Sequence, residues 1–259
     1  MSFRLLLVSC AAGSGLLAVV AVTGYHVYRT LTPGCHSARS RLSLDESEWL
    51  AFDRWFKDIK CGAGAFVEIG ARHALAGRQS HFLGSALGWQ GILLEPDPSE
   101  ISSLKRMLPT AHVYRGTVCS RRQMNLTLPL DHRSSVTTSA KAYMPTPLKE
   151  RDEVSVPCHW LPTLLKNHQM LCVDYLSIDL EEREESIITE MPWRELPVRV
   201  VQLRTRLNLD AHEKRRMRSQ LVEHMKQHKY RLAANISSNT SGLTNFIFEN
   251  RRQIHCQRR

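Results

Sequence analysis

Short apolar runs alternate with amphipathic segments along most of this chain. Strand-like runs fall at residues 65–69, 91–94, 111–115, 175–178, 198–203 and 246–249. Each is short and rich in branched or aromatic residues, as buried strands are. Segments with helical spacing lie between them, near 81–87, 98–108, 161–168, 184–191 and 211–229. Strands separated by helices predict an α/β fold with a mainly parallel sheet and helices on both faces. Ahead of the first strand, residues 43–56 read as an acid-capped amphipathic helix. Leu44, Trp49, Leu50, Phe52, Trp55 and Phe56 form its apolar face. Residues 124–157 break the alternation with a short strand at 125–128, a Ser/Thr tract and Met144-Pro-Thr-Pro147. They read as an inserted loop, a candidate lid over a site.

The pattern at the start of the chain is different. From Leu5 to Val22 no residue is charged, and uncharged residues continue to Tyr25. That is close to the roughly 20 residues that span a bilayer. A cleaved signal peptide is the rival, with a shorter apolar core of about 7–15 residues. The longer run and the poor cleavage site at Ala21-Val22-Thr23-Gly24 favour an uncleaved signal-anchor. The expected organisation is an anchor at 1–28, a stalk at 29–42, a single domain at 43–250 and a basic tail at 251–259. Arg4 competes with Arg29, Arg39 and Arg41, so the flanking charges do not favour a luminal domain. The sequons at Asn125, Asn235 and Asn239 do, and the expected location is the endoplasmic reticulum or Golgi with the domain luminal.

Composition narrows the partners. The 259 residues carry a net charge of +10, with pI near 9.5. Such a balance suits anionic partners or a solvated basic surface. No zinc-finger spacing or RNA-binding aromatic motif is present, so no nucleic-acid partner is expected. Cys10 lies in the apolar run, and the other six cysteines form no CxxC pair. No metal site is expected. The six pair in an oxidising lumen or stay as buried thiols in the cytosol, and their spacing does not choose. Oligomeric state is not legible.

Candidate chemistry sits where strands end, because ligands of open α/β sheets bind beyond the carboxyl ends. The first strand runs into Glu68-Ile69-Gly70-Ala71, where a glycine lets the backbone approach a ligand. The second ends at Glu95-Pro96-Asp97-Pro98, about 25 residues later, where a carboxylate can accept from a ribose diol. The strand at 175–178 ends in Asp179-Leu180-Glu181. The pyrophosphate cradles GxGxxG and GxxxxGK[ST] are absent, which disfavours NAD and ATP. A glycine loop followed by a ribose-binding acid fits S-adenosylmethionine better.

These blocks resemble a known family. Residues 66–77, then Leu87-Gly-Trp-Gln-Gly-Ile-Leu-Leu-Glu-Pro-Asp-Pro98, then Val156-Pro-Cys158, then Asp174-Tyr-Leu-Ser-Ile-Asp-Leu-Glu181 look like FkbM-type methyltransferases. The likeness covers about residues 45–250 at comparable spacing. It implies a Rossmann-like class I methyltransferase fold and methyl transfer from S-adenosylmethionine, typically to oxygen of a sugar or other small acceptor. It further implies that Glu68, Gly70 and Ala71 line the methionine part of the cofactor. Glu95 takes the ribose hydroxyls, and Asp179 and Glu181 sit near the sulfonium and the acceptor.

The chain also departs from that family. The usual Asn-Asp-Gly after the first Gly-Ala is Arg72-His73-Ala74, the first-strand Asp is Glu68, and a Gly is replaced by Glu182. The fifth main strand, which usually ends in an acid, ends at Arg204. Cations beside a cationic cofactor cost affinity in a partly desolvated cleft. Two functional classes follow. One is an active membrane-anchored methyltransferase for a small-molecule or glycan acceptor. The other is a degenerate methyltransferase fold that binds or scaffolds in the secretory pathway.

Overall fold

The structure is a computed structural model that describes residues 52–56, 62–71, 79–119, 124–129, 153–179, 184–206, 211–237 and 243–252. The expected membrane anchor, the stalk, most of the 43–56 helix, the middle of the 124–157 insertion and the end of the basic tail lie outside these residues. Among the described residues, no helix is long and apolar enough to cross a membrane.

Seven strands form one sheet in the order β3-β2-β1-β7-β8-β10-β9. Their ranges are β1 Ala65–Ile69, β2 Gln90–Glu95, β3 Ala111–Arg115, β7 Val173–Ile178, β8 Val198–Arg206, β9 Tyr230–Ser237 and β10 Leu243–Asn250. The first five in spatial order, β3 to β8, pair in parallel. β10 runs antiparallel to both β8 and β9. A second, three-stranded sheet contains β4 Thr117–Val118, β5 Asn125–Pro129 and β6 Glu153–His159. The helices are α1 at Gln79–His81, continued by a π-helical turn at Phe82–Ala86, then α2 Pro98–Met107, α3 Leu161–Asn167, α4 Glu184–Glu190 and α5 Ala211–Gln227.

Strand alternation sorts the core into two layers. Val67, Ile69, Leu176, Ile178, Val201, Leu203 and Phe246 pack with Leu164 of α3, Ile188 of α4 and Met225 of α5. On the opposite face, Phe66, Leu93, Tyr175, Val200 and Ile247 pack with Phe82 and Leu83 beside α1 and with Leu104 of α2. Because both faces are covered, β7 is buried along its whole length, as parallel strands usually are. The motif Leu87-Gly-Trp serves this packing. Trp89 is 1 % exposed, and a Cβ on Gly64 would lie 2.1 Å from its ring. Phe56 meets the same indole edge-on at 5.4 Å.

The expected α/β architecture is present, with three strands that the pattern did not reveal. β9 is an edge strand of half-exposed and small residues, so its alternation is weak. Its helix-like prelude stops at Gln227 rather than 229, because Lys229 takes φ +71° and turns the chain. β6 carries Pro157, which masks a strand, yet it pairs with β5 from Asn125↔Pro157 to Pro129↔Glu153. The ends of the expected insertion are therefore a paired ribbon. Its remaining residues, and any lid they form, lie outside the described residues. Cys119 and Cys158 form a disulfide that ties the end of β4 to β6. Cys172 is also disulfide-bonded.

Candidate functional site

Side chains alternate along a strand, so residues two apart share a face. Counting from the buried Phe66, Leu93, Tyr175, Val200 and Ile247, one face carries Glu68 and Gly70, Glu95, Ser177 and Asp179, Gln202 and Arg204, and Asn245. Register aligns them across strands. Glu68 pairs with Ser177 and Ser177 with Gln202. One step nearer the carboxyl edge, Arg204 pairs with Asn245. The last turn of every central strand on this face is polar, whereas the opposite face stays apolar to Ile69, Ile178 and Leu203.

The β1–β2 side is fixed by backbone. Gly70 takes φ +79°, a region that costs other residues steric strain. Gly70 N donates to Leu94 O at 2.8 Å and Ala71 N to the same oxygen at 3.2 Å, while Asp179 N donates to Ile69 O at 2.9 Å. The turn after β1 is thus tied to both neighbouring strands. Glu95 is 2 % exposed, and its Oε1 accepts from Asp97 N at 2.8 Å. Asp97 in turn caps α2, accepting from Ser99 N at 2.8 Å, with Pro98 in the first turn. Glu-Pro-Asp-Pro therefore orients one carboxylate and starts a helix with the next.

The β7–β8–β10 side is fixed by side chains. The Tyr175 hydroxyl donates to Gln202 Oε1 at 2.9 Å. Gln202 Nε2 donates to Asn245 Oδ1 at 3.3 Å, and Arg204 Nε donates to the same oxygen at 3.2 Å. Arg204 Nη1 then lies 3.8 Å from Asp179 Oδ2, with both side chains largely buried. A chain of polar groups thus runs from the core to the carboxyl edge and ends in an ion pair.

Of the residues expected to form the site, Glu68, Gly70, Ala71, Glu95 and Asp179 come to one edge of the sheet. Glu181 and the departing residues Arg72, His73, Ala74 and Glu182 lie outside the described residues. Sequence reasoning gave no role to Gln202, Asn245 or Asp174. Asp174 is structural: it accepts from Ala65 N at 3.1 Å and pairs with Arg199 at 2.8 Å, holding the start of β1 against β7. Among the described residues, no group of His, Cys, Asp and Glu is placed to hold a metal ion.

The fold and the polar edge define a class I, Rossmann-like methyltransferase architecture. The model of the methyltransferase FkbM domain matches residues 68–237. The match covers more than half the chain, and the chain belongs to this family. No curated protein is close enough in sequence to match. Among solved structures, a TehB-like SAM-dependent methyltransferase from Corynebacterium glutamicum is similar at 12% identity and TM-score 0.43, covering 90% of this chain and 99% of that one. A human methyltransferase 10 domain containing protein is similar at 11% identity and TM-score 0.44, over 86% and 94% of the two chains. Aeropyrum pernix fibrillarin, solved with natively bound S-adenosyl-L-methionine, is similar at 9% identity and TM-score 0.42, over 73% and 67%. These likenesses are remote, and the assignment rests on the family match.

The nucleoside half of S-adenosylmethionine fits the residues present. Glu95 offers a fixed carboxylate at the β2 end, and Gly70 offers close backbone approach at the β1 end. Beyond the end of β7 the charge is mixed, because Asp179 is met there by Arg204.

Proposed function

We propose that this protein is a membrane-anchored, S-adenosylmethionine-dependent methyltransferase acting on a hydroxyl of a sugar or other small acceptor. The observation that carries this reading is the gathering of Glu68, Glu95 and Asp179 on one face, at the ends of three adjacent parallel strands, beside Gly70 at φ +79°. When bound, the cofactor supplies a methyl group on a cationic sulfur that becomes a neutral thioether. Glu95 accepts hydrogen bonds from the ribose diol, each charge-assisted. Gly70 and Ala71 line the methionine part. Asp179 faces the acceptor, orients its hydroxyl and takes the proton released as oxygen gains the methyl group. Glu181 is proposed for the same neighbourhood.

Calorimetric titration of the purified domain with S-adenosylmethionine tests this directly. Saturable binding is expected. No heat change at millimolar ligand would overturn the enzyme reading.

A second reading, binding without transfer, is favoured by the Arg204–Asp179 pair, which occupies the proposed base. It is distinguished by cofactor binding with no methyl transfer to any glycan or small acceptor in a tritium-transfer screen. A luminal location is supported by the Cys119–Cys158 disulfide, since such bonds persist in oxidising compartments. It is also supported by the exposure of the sequon residues Asn125 and Asn235. Loss of mass on endoglycosidase treatment of the expressed full chain is the expected result. An unshifted band would remove the support that the sequons give to a luminal domain.

A further inference from the structure

The residue least expected at this edge is Arg204, and its surroundings show that it is built in rather than stray. Its Nε is held by Asn245 Oδ1 at 3.2 Å. That oxygen is itself fixed by Gln202, which is fully buried. Gln202 is anchored by the Tyr175 hydroxyl at 2.9 Å. The guanidinium, with 14% side-chain exposure, is thus aimed along the carboxyl edge at Asp179, with 13%. Asp179 is joined to the base of the glycine turn through its own N–H, which donates to Ile69 O at 2.9 Å. A ligand whose reactive end meets Asp179 therefore meets Arg204 as well.

Charge decides what this does. A lone carboxylate at the end of β7 attracts a cation. The same carboxylate with a guanidinium 3.8 Å away presents close to zero net charge. In a partly desolvated cleft the lost attraction is far larger than it would be in water. S-adenosylmethionine and its demethylated product S-adenosylhomocysteine share every group except one methyl and one positive charge. Their identical amino-acid ends feel Arg204 alike, so the difference between the two ligands at this residue comes from the sulfonium charge.

We propose that Arg204, tethered by Asn245, is a specificity-determining residue that shifts the cofactor site away from cationic S-adenosylmethionine and toward neutral S-adenosylhomocysteine. This rests on the cofactor reading above. It makes the site retain the spent cofactor, or sense it, at the expense of the methyl donor.

The test is calorimetric titration of both ligands into the native domain and into Arg204→Gln and Arg204→Met. The second variant fills the space of the guanidinium stem without a polar head, should the first fail to fold. Removing the charge is expected to raise affinity for S-adenosylmethionine about tenfold, or about 1.4 kcal/mol, and to leave that for S-adenosylhomocysteine within about twofold. A ratio of the two affinities that stays the same in a folded variant overturns the inference while leaving the cofactor reading intact. Binding of neither ligand to the native domain overturns the cofactor reading, and this inference with it.

Discussion

On the β1–β2 side of the carboxyl edge, backbone groups fix the geometry; on the β7–β8–β10 side, side chains do. The first side needs a glycine at φ +79°, two N–H groups sharing Leu94 O, and a carboxylate oriented by an N–H two residues on. All of that is local to two strand ends. The second side is assembled from Tyr175, Asp179, Gln202, Arg204 and Asn245, drawn from three strands. Parallel strands deliver residues to one edge whatever their chemistry. The fold therefore brings side chains to this edge, while the residues on this face decide its charge.

The largest expected effect comes from breaking the side-chain half. Gln202 is fully buried and serves both Tyr175 and Asn245. Gln202→Leu keeps the volume but removes the acceptor of one buried group and a donor to another. Each such loss costs about 1–3 kcal/mol, so urea unfolding should show a loss of about 3 kcal/mol. A loss under about 1 kcal/mol would mean the network is not what orders this half. Next comes the backbone half. In the proposed cofactor pose Glu95 accepts two charge-assisted hydrogen bonds from the ribose, each worth about 1.5 kcal/mol at the low end, and Glu95→Ala removes both. Affinity for S-adenosylhomocysteine should fall at least about 100-fold by calorimetry, and the ligand-free melting temperature should drop as well, because Asp97 N loses its acceptor. If affinity stays put, the carboxylate does not face the ribose.

A smaller effect is expected at Gly70. An alanine there keeps the hydrogen bonds to Leu94 but must hold φ +79°. The strain is about 1–2 kcal/mol, read as a lower urea midpoint with unchanged slope. No change in midpoint would show that the turn relaxes, and that the backbone half is less rigid than its hydrogen bonds suggest.

The same contrast explains what the sequence made legible. Glu68-Ile-Gly-Ala and Glu95-Pro-Asp-Pro are contiguous, because a turn and a helix cap need particular residues at fixed spacing. Their positions could be read directly. Gln202 and Asn245 are 43 residues apart, and nothing local in either strand marks them as partners. Arg204 was visible as a departure, yet its anchoring by Asn245 depends on antiparallel pairing of β8 with β10. The core was legible wherever strands were short and apolar. It was not at β6 and β9, where a proline and half-exposed small residues blurred the alternation.

The smallest expected effect separates the side-chain half from the histidine pair beside β3 by pH. His168 follows α3 and stacks on His112 of β3 at 3.7 Å between ring centroids. Its Nε2 also meets the Tyr114 hydroxyl at 2.5 Å. Burial, then the neighbouring His112, lowers its pKa below the usual 6.5. The folded state favours the neutral ring, so the unfolded chain binds a proton first as acid is added. The stabilisation is complete above about pH 6.5 and is lost as pH falls through the lower, folded value. His228, lowered by burial and by His224, Arg194 and Arg252, acts in the same direction at the far end of α5. Melting temperature should therefore fall between about pH 7 and pH 5, and His168→Gln should flatten part of that slope. Among the described residues, no histidine lies in the Tyr175–Gln202–Asn245–Arg204–Asp179 chain. The stability lost in Gln202→Leu should then be the same at both pH values. A pH-dependent loss there would show that the two regions are coupled through the sheet rather than built independently.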